Sequence, residues 1–382
     1  MAQWNRVPLI DYIELIGGGT PKTTVPEYWN GNIPWLSVKD FNNDKRYVYS
    51  TEKHISQSGF ENSPTKMLHK DDIIISARGT VGEIAMIPFD MAFNQSCYGI
   101  RASRGIDQPF LYYLLKNCIS QLKRMTHGSV FDTITRDTFA NIEVDIPDAE
   151  TQKRISSVLA DIDNKIEVND AINDNLHQQA ATLFKALFVD LTPFDGTMPP
   201  NWTISTLGDA TEIGAGGDKP KESSPVKTPL CPYPIYSNGI NDYGLYGYTN
   251  DPKIKVESVT VSARGTIGYV CLRHTPYVPI VRLVTLIPDT KVLSAKYLYL
   301  YLRQLHITGT GTTQQQLTVP DFRKTEIIIP DKNTMDSFTE TVTPLFEQIW
   351  ANEDENTKLA EVRDALLPKL MSGEIDVSDI QL

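Results

Sequence analysis

The sequence predicts an α+β fold in which one plan occurs twice: two mixed α/β modules separated by two long antiparallel coiled-coil helices, related by an internal pseudo-twofold repeat. Three observations predict it. SARGTVGE (76–83) returns as SARGTIGY (262–269), 186 residues later. HGSVFDTIT (127–135) and EVDIP (143–147) line up in the same order with TGTTQQQLT (310–318) and EIIIP (326–330), both offset by 183. Each IP segment then runs into a stretch whose apolar residues alternate at spacings of four and three, the seam of a coiled coil.

Residues 1–148 form the first module. DDIIISARGTVGEIAMIPF reads as a strand, a tight Gly-containing turn and a second strand, and PFLYYLLKNCISQLKRM (109–125) as a helix. Residues 149–191 form the first long helix, with a seam of Ile155, Leu159, Ile162, Ile166, Leu176, Ala180, Leu183 and Leu187. Its two missing seam positions are Asn169 and Asn173. The Pro/Gly linker TPFDGTMPPNW opens the second module, 192–331, where ESVTVSARGTIGYVCL and SAKYLYLYLRQL (294–305) repeat the hairpin and the helix. Residues 332–382 form the second long helix, with seam positions Phe338, Val342, Leu345, Ile349, Leu359, Arg363, Leu366 and Leu370. Asn352 and Asn356 fall where the first helix has Asn169 and Asn173. Two helices pairing antiparallel about their midpoints would set Asn169 against Asn356 and Asn173 against Asn352. A polar pair in an apolar seam costs stability and fixes register. Each seam covers about 33 residues, or ~50 Å at 1.5 Å per residue.

A chain of 382 residues has ample material for more than one core. Its four cysteines are scattered with no C-x-x-C, so neither a zinc site nor a disulfide framework is expected. The N-terminus lacks the pattern of a signal peptide and no long apolar run occurs, which suits a cytoplasmic protein. The net charge of −11 is unevenly spread. Lys and Arg minus Asp and Glu give +1 for 1–140 and +3 for 201–330, against −7 for 141–200 and −8 for 331–382. The acidic excess lies in the helical segments, so net charge does not exclude nucleic acid as a ligand of the modules.

Catalytic motifs fail one by one. GGGTPKTT (17–24) lacks the Gly-Lys of a phosphate loop, since Pro21 precedes Lys22. Asp148, Asp163 and Lys165 imitate a metal-dependent nuclease pattern, but Asp163 and Lys165 lie two apart on a helix and face different sides. The six histidines show no metal-ligand spacing. No methyltransferase signature of the Asn/Asp-Pro-Pro-aromatic type is present. What remains is polar loop chemistry suited to DNA, with Arg or Lys for guanine and phosphate, Gln or Asn for adenine edges, and hydroxyls for phosphate. Candidate contacts are Lys22, Thr23, Lys39, Arg78, Thr80 and Ser129 in the first module. In the second they are Ser237, Asn238, Arg264, Thr266, Thr312, Gln314, Gln315 and Gln316. An alternative from another class is a single-chain restriction or methyltransferase enzyme, and a third is a scaffold that binds protein rather than DNA.

Together, GGGTPKT and YWNGNIPWLSVKD within 17–40, the twin SARGT turns, PIYSNGINDYGLYGY (234–248) and the heptad helices are similar to the specificity subunit of type I restriction-modification systems. The resemblance covers essentially the whole chain. It implies a non-catalytic protein in which 1–148 and 192–331 are target recognition domains, each reading half of a bipartite, asymmetric double-stranded DNA target. It implies that the helices set the gap and dock two methyltransferase subunits. S-adenosylmethionine, ATP and Mg are then expected on partner modification and restriction subunits, with no cofactor or metal in this chain. The second module departs from the pattern of the first where SSPVKTPLCPYPIYSNG replaces the YWNGNIPWLSVKD block, so the two half-sites are expected to differ.

Overall fold

The computed structural model describes residues 4–126, 133–309 and 316–380. The chain forms two compact units, Met1–Asn169 with Glu353–Leu382, and Asp170–Asn352. This differs from the four-part division expected from sequence, because each long helix is shared between the units.

In the first unit, Ile13–Gly17, Cys97–Ala102, Ile73–Ser76 and Ile84–Met86 form an antiparallel sheet in that order. Ile73, Ile74 and Ile75 occupy a central strand buried on both faces, where β-branched side chains fit. Gly17–Gly19 continue past the first strand. A Cβ on Gly18 would collide with the Asn94 carbonyl and one on Gly19 with the Pro64–Thr65 backbone, which accounts for these two glycines without a phosphate. A second sheet, ordered Lys53–Ile55, Trp29–Leu36, Met91–Phe93 and Met67–Leu68, pairs Leu36 with Phe93 in parallel. The helix Gln108–Thr126 covers the first sheet with Phe110, Leu111, Leu114 and Leu115.

The second unit repeats the first sheet strand for strand, as Thr211–Ala215, Val284–Pro288, Ser258–Val261 and Val270–Arg273. The register repeats too: Ile75 faces Tyr98, and Val261 faces Val284. The second sheet repeats only in part. Tyr236 and Pro279 reproduce the parallel pair, but the order is Ser223–Ser224, Leu245–Thr249, Tyr233–Tyr236, Val278–Pro279. The altered strand order lies in the block where the sequences diverge.

Both long helices start alike. Asp148 accepts from the backbone N–H groups of Glu150 and Thr151, and Asp331 from those of Asn333 and Thr334, all within 3.3 Å. Both carboxyls are held below the usual aspartate range, Asp148 chiefly by the Thr151 N–H and Asp331 chiefly by the Thr334 hydroxyl, which donates to it at 2.7 Å. The aspartate of the nuclease-like pattern is therefore a helix cap. The first long helix is Ala149–Phe184, widening into a π-helical turn at Lys185–Val189. The second is Lys332–Met371.

Two expectations about the helices need correction. The second does not run to the end of the chain: after Met371 a left-handed Gly373 turns the chain, and Val377 buries in the core of the first unit. The seam also shifts. Leu183 is exposed, whereas Phe184 and Phe188 are buried with Tyr297 and Phe338. A seam of alternating fours and threes describes helices that touch only each other. Here each half-helix also packs on a module, and that second contact recruits neighbouring positions.

Candidate nucleic-acid interface

The repeated turn has the same construction in both units. Ser76 N donates to Glu83 O at 2.9 Å and Ser262 N to Tyr269 O at 3.0 Å. Gly82 N donates to Ser76 O and Gly268 N to Ser262 O, each at 3.0 Å. The buried serine hydroxyls donate across the loop to Thr80 O and Thr266 O. They also accept from Glu83 N at 2.8 Å and Tyr269 N at 2.9 Å. Gly79, Gly82, Gly265 and Gly268 all have φ between 68° and 85°, where a side chain is strained. Burial, together with Cys271, pushes the Tyr269 hydroxyl up to about 12, so it stays protonated at neutral pH.

Serine and glycines are thus the frame, and Arg-Gly-Thr is what the frame exposes: residues 78–80 and 264–266 are open to solvent in both units. Chain returning from each Gly/Ser/Thr-rich segment braces the turn. Ile134 N donates to Ala77 O and Leu317 N to Ala263 O, both at 3.0 Å. Replacing Ser76 or Ser262 with alanine is expected to cost about 1–2 kcal/mol, since each change removes a donor and an acceptor inside a closed turn. Chemical denaturation of the single variants tests this.

The other candidate residues divide by placement. Lys22, Thr23 and Lys39 are exposed, with Lys39 3.9 Å from Glu52. Arg264 donates to the Gln316 side chain at 3.2 Å. Ser237 binds through its backbone, N to Gly244 O at 2.8 Å. Asn238 is committed internally: its oxygen accepts from Ala263 N and its nitrogen donates to Val281 O, each at 2.7 Å. Ser129, Thr312, Gln314 and Gln315 lie outside the described residues. Among the described residues, no three His, Cys, Asp or Glu side chains group to hold a metal.

The seam asparagines meet across the helices. In the first unit, Asn169 Nδ2 donates to Asn356 Oδ1 at 2.9 Å and to Glu355 at 2.8 Å. In the second, Asn352 Nδ2 donates to Asn173 Oδ1 at 2.8 Å. One partner number rises as the other falls, so the helices run antiparallel. Asn352→Leu leaves the buried Asn173 Oδ1 without its Asn352 donor and is expected to cost about 1–3 kcal/mol. Adding Asn173→Leu is expected to restore most of that loss, because both polar groups are then gone. A double-mutant cycle read by urea unfolding checks it.

Arg363, placed in the seam by its spacing, meets the first long helix at Asp163 and also reaches Asp44 of the first unit. It is 4% exposed and donates to Asp163 at 2.9 Å and Asp44 at 3.2 Å. Tyr113 donates to the other oxygen of Asp163 at 2.7 Å. This assigns a structural partner to the second aspartate of the nuclease-like pattern. At the 183-residue offset, Asp163 corresponds to Phe346 and Arg363 to Ala180, both buried in the apolar core of the second unit.

With this geometry fixed, known proteins give the family. The model of the type I restriction modification DNA specificity domain matches residues 1–178 and 199–361. The chain belongs to that family. Its role is specificity rather than catalysis. It is 28% identical to the type I restriction enzyme MjaIX specificity subunit of Methanocaldococcus jannaschii, over 99% of this chain and 94% of that one. It is 27% identical to the HindI specificity subunit of Haemophilus influenzae, over 70% of this chain and 77% of the relative. Among solved structures, the S subunit of a type I restriction-modification system from M. genitalium shares the fold. It aligns with a TM-score of 0.57 and 15% identity, covering 97% of this chain and 96% of that one. No helix among the described residues of this specificity protein is long and apolar enough to cross a membrane.

Proposed function

We propose that this specificity subunit reads a bipartite, asymmetric double-stranded DNA sequence, each unit taking one half. The observation that carries the reading is the duplicated turn, with one closed frame built twice to expose the same Arg-Gly-Thr tip. Arginine and threonine on a rigid hairpin suit base edges and phosphates. The differing surroundings of the two turns favour different half-sites. In this reading two modification subunits dock on the paired helices in the cytoplasm, carrying S-adenosylmethionine, and restriction subunits supply ATP- and Mg-dependent cleavage.

The test is co-expression with the modification subunits followed by sequencing of methylated adenines. An asymmetric two-part motif with a fixed gap is expected. A palindromic motif, or methylation unaffected by this chain, overturns the reading. Alone, the chain is expected to bind DNA weakly, because its modules are near neutral and make few phosphate contacts, and to bind more weakly at 200 than at 50 mM salt, because those contacts release counterions. Titration of labelled DNA at several salt concentrations checks this.

A further inference from the structure

The two units differ beside the turn in a way that adds a charge to one of them. In the first unit, Ala77 N and Arg78 N both donate to the Ser96 carbonyl, at 2.8 and 3.2 Å. The strand registers pair Ile75 with Tyr98 and Val261 with Val284, so Ser96 corresponds to Arg282. In the second unit that carbonyl bond is replaced. Ala263 N donates to the side chain of Asn238 instead.

The replacement accompanies a local change of backbone. Val281 and Arg282 are both left-handed, with φ of 52° and 62°. Two consecutive non-glycine residues in that region, one of them β-branched, are strained and persist only where surrounding bonds fix them. Three bonds do so here. Val281 N donates to Gly217 O at 2.9 Å, Arg282 N to Gly216 O at 2.8 Å, and Asn238 Nδ2 to Val281 O at 2.7 Å. The strained pair is also exposed. The Arg282 side chain has no hydrogen-bond or ion-pair partner among the described residues.

Asn238 therefore ties two loops with one side chain. Its oxygen holds the residue before Arg264, and its nitrogen holds the residue before Arg282. We infer that Arg282 is a second DNA-contacting arginine, present in the second unit only, and that Asn238 is the positioning residue that sets it beside Arg264. The inference rests on the DNA-reading role proposed above and assigns a residue to it. A guanidinium fits either a guanine edge or a phosphate, and the two are separable by experiment.

The experiment uses the full chain assembled with its modification subunits on the mapped DNA target. Arg282→Ala and Arg282→Ser, the latter the residue of the first unit, are expected to weaken binding roughly tenfold. If Arg282 reads a base, discrimination at one position of one half-site relaxes. If it binds phosphate, affinity falls equally on all sequences and the salt dependence loses about one ion. Either result supports the inference. Asn238→Asp keeps the acceptor for Ala263 N but removes the donor to Val281 O. It should reproduce the Arg282 defect in kind, with discrimination at the Arg264 contact and the melting temperature of the assembly retained. Unchanged binding in Arg282→Ala while Arg264→Ala weakens it overturns the inference and leaves the DNA-reading role intact. Unchanged binding in both, and in the Arg78→Ala, Arg264→Ala double variant, overturns the DNA-reading role itself.

Discussion

Arg363→Ala is expected to destabilise the protein by about 3–5 kcal/mol, the range for breaking a buried ion pair from one side. The cost comes from what remains. Asp163, also buried, keeps the Tyr113 hydroxyl but loses its counter-charge. Asp44 loses one of its two cationic partners, Arg363 and Lys116, but its side chain is 71% exposed and water compensates that loss. Removing both buried charges is a different experiment. Asp163→Phe with Arg363→Ala installs the pair that the second unit uses, Phe346 and Ala180. A well-packed apolar replacement of a buried ion pair is often neutral or stabilising, so the double variant should recover most of the loss. Urea unfolding of the two single variants and the double variant measures the coupling. A loss below about 1 kcal/mol for Arg363→Ala would mean that water reaches Asp163 and the pair is not a buried one.

The same cluster shows where sequence reasoning reached its limit. The seam spacing of the second helix was legible, and so were the four asparagines, because a helix imposes its period on any residue that faces a partner. The period says only that position 363 faces inward. It does not say what lies there, and Asp44, Asp163 and Tyr113 come from three separate parts of the chain. Phe184 and Phe188 escaped for a related reason: a second packing surface adds buried positions that a single seam does not include. The duplicated sheets were legible because a repeat supplies its own control. Where the repeat fails, in the strand order around Ser223–Ser224 and in the left-handed Val281–Arg282 pair, the sequence shows divergence but not its form. The role of Asn238 belongs to that class. As a polar loop residue it suits a base contact, and only the carbonyl turned away at Arg282 explains why its amide faces inward.

Reversing the charge at the turn tips is expected to separate the two halves of the target. Arg78 and Arg264 sit on frames closed by the same serine and glycine bonds but belong to different units. Each tip residue is exposed and lies outside the core, so Arg78→Glu and Arg264→Glu should leave the melting temperature within a few degrees of the parent. Loss of an arginine contact to DNA costs about 1–3 kcal/mol, and a carboxylate at the same place adds repulsion from phosphate. Each single variant should therefore lower target affinity at least tenfold. The two tips belong to different units, so the two losses should add, to about 2–6 kcal/mol in the double variant. The informative result is which half-site suffers. With DNAs altered in one half at a time, Arg78→Glu should become insensitive to changes in one half and Arg264→Glu to changes in the other. If both variants lose sensitivity to the same half, one unit does the reading and the repeat serves another purpose. If neither variant weakens binding, the Arg-Gly-Thr tips are hairpin closures only, and the reading surface lies elsewhere on the modules.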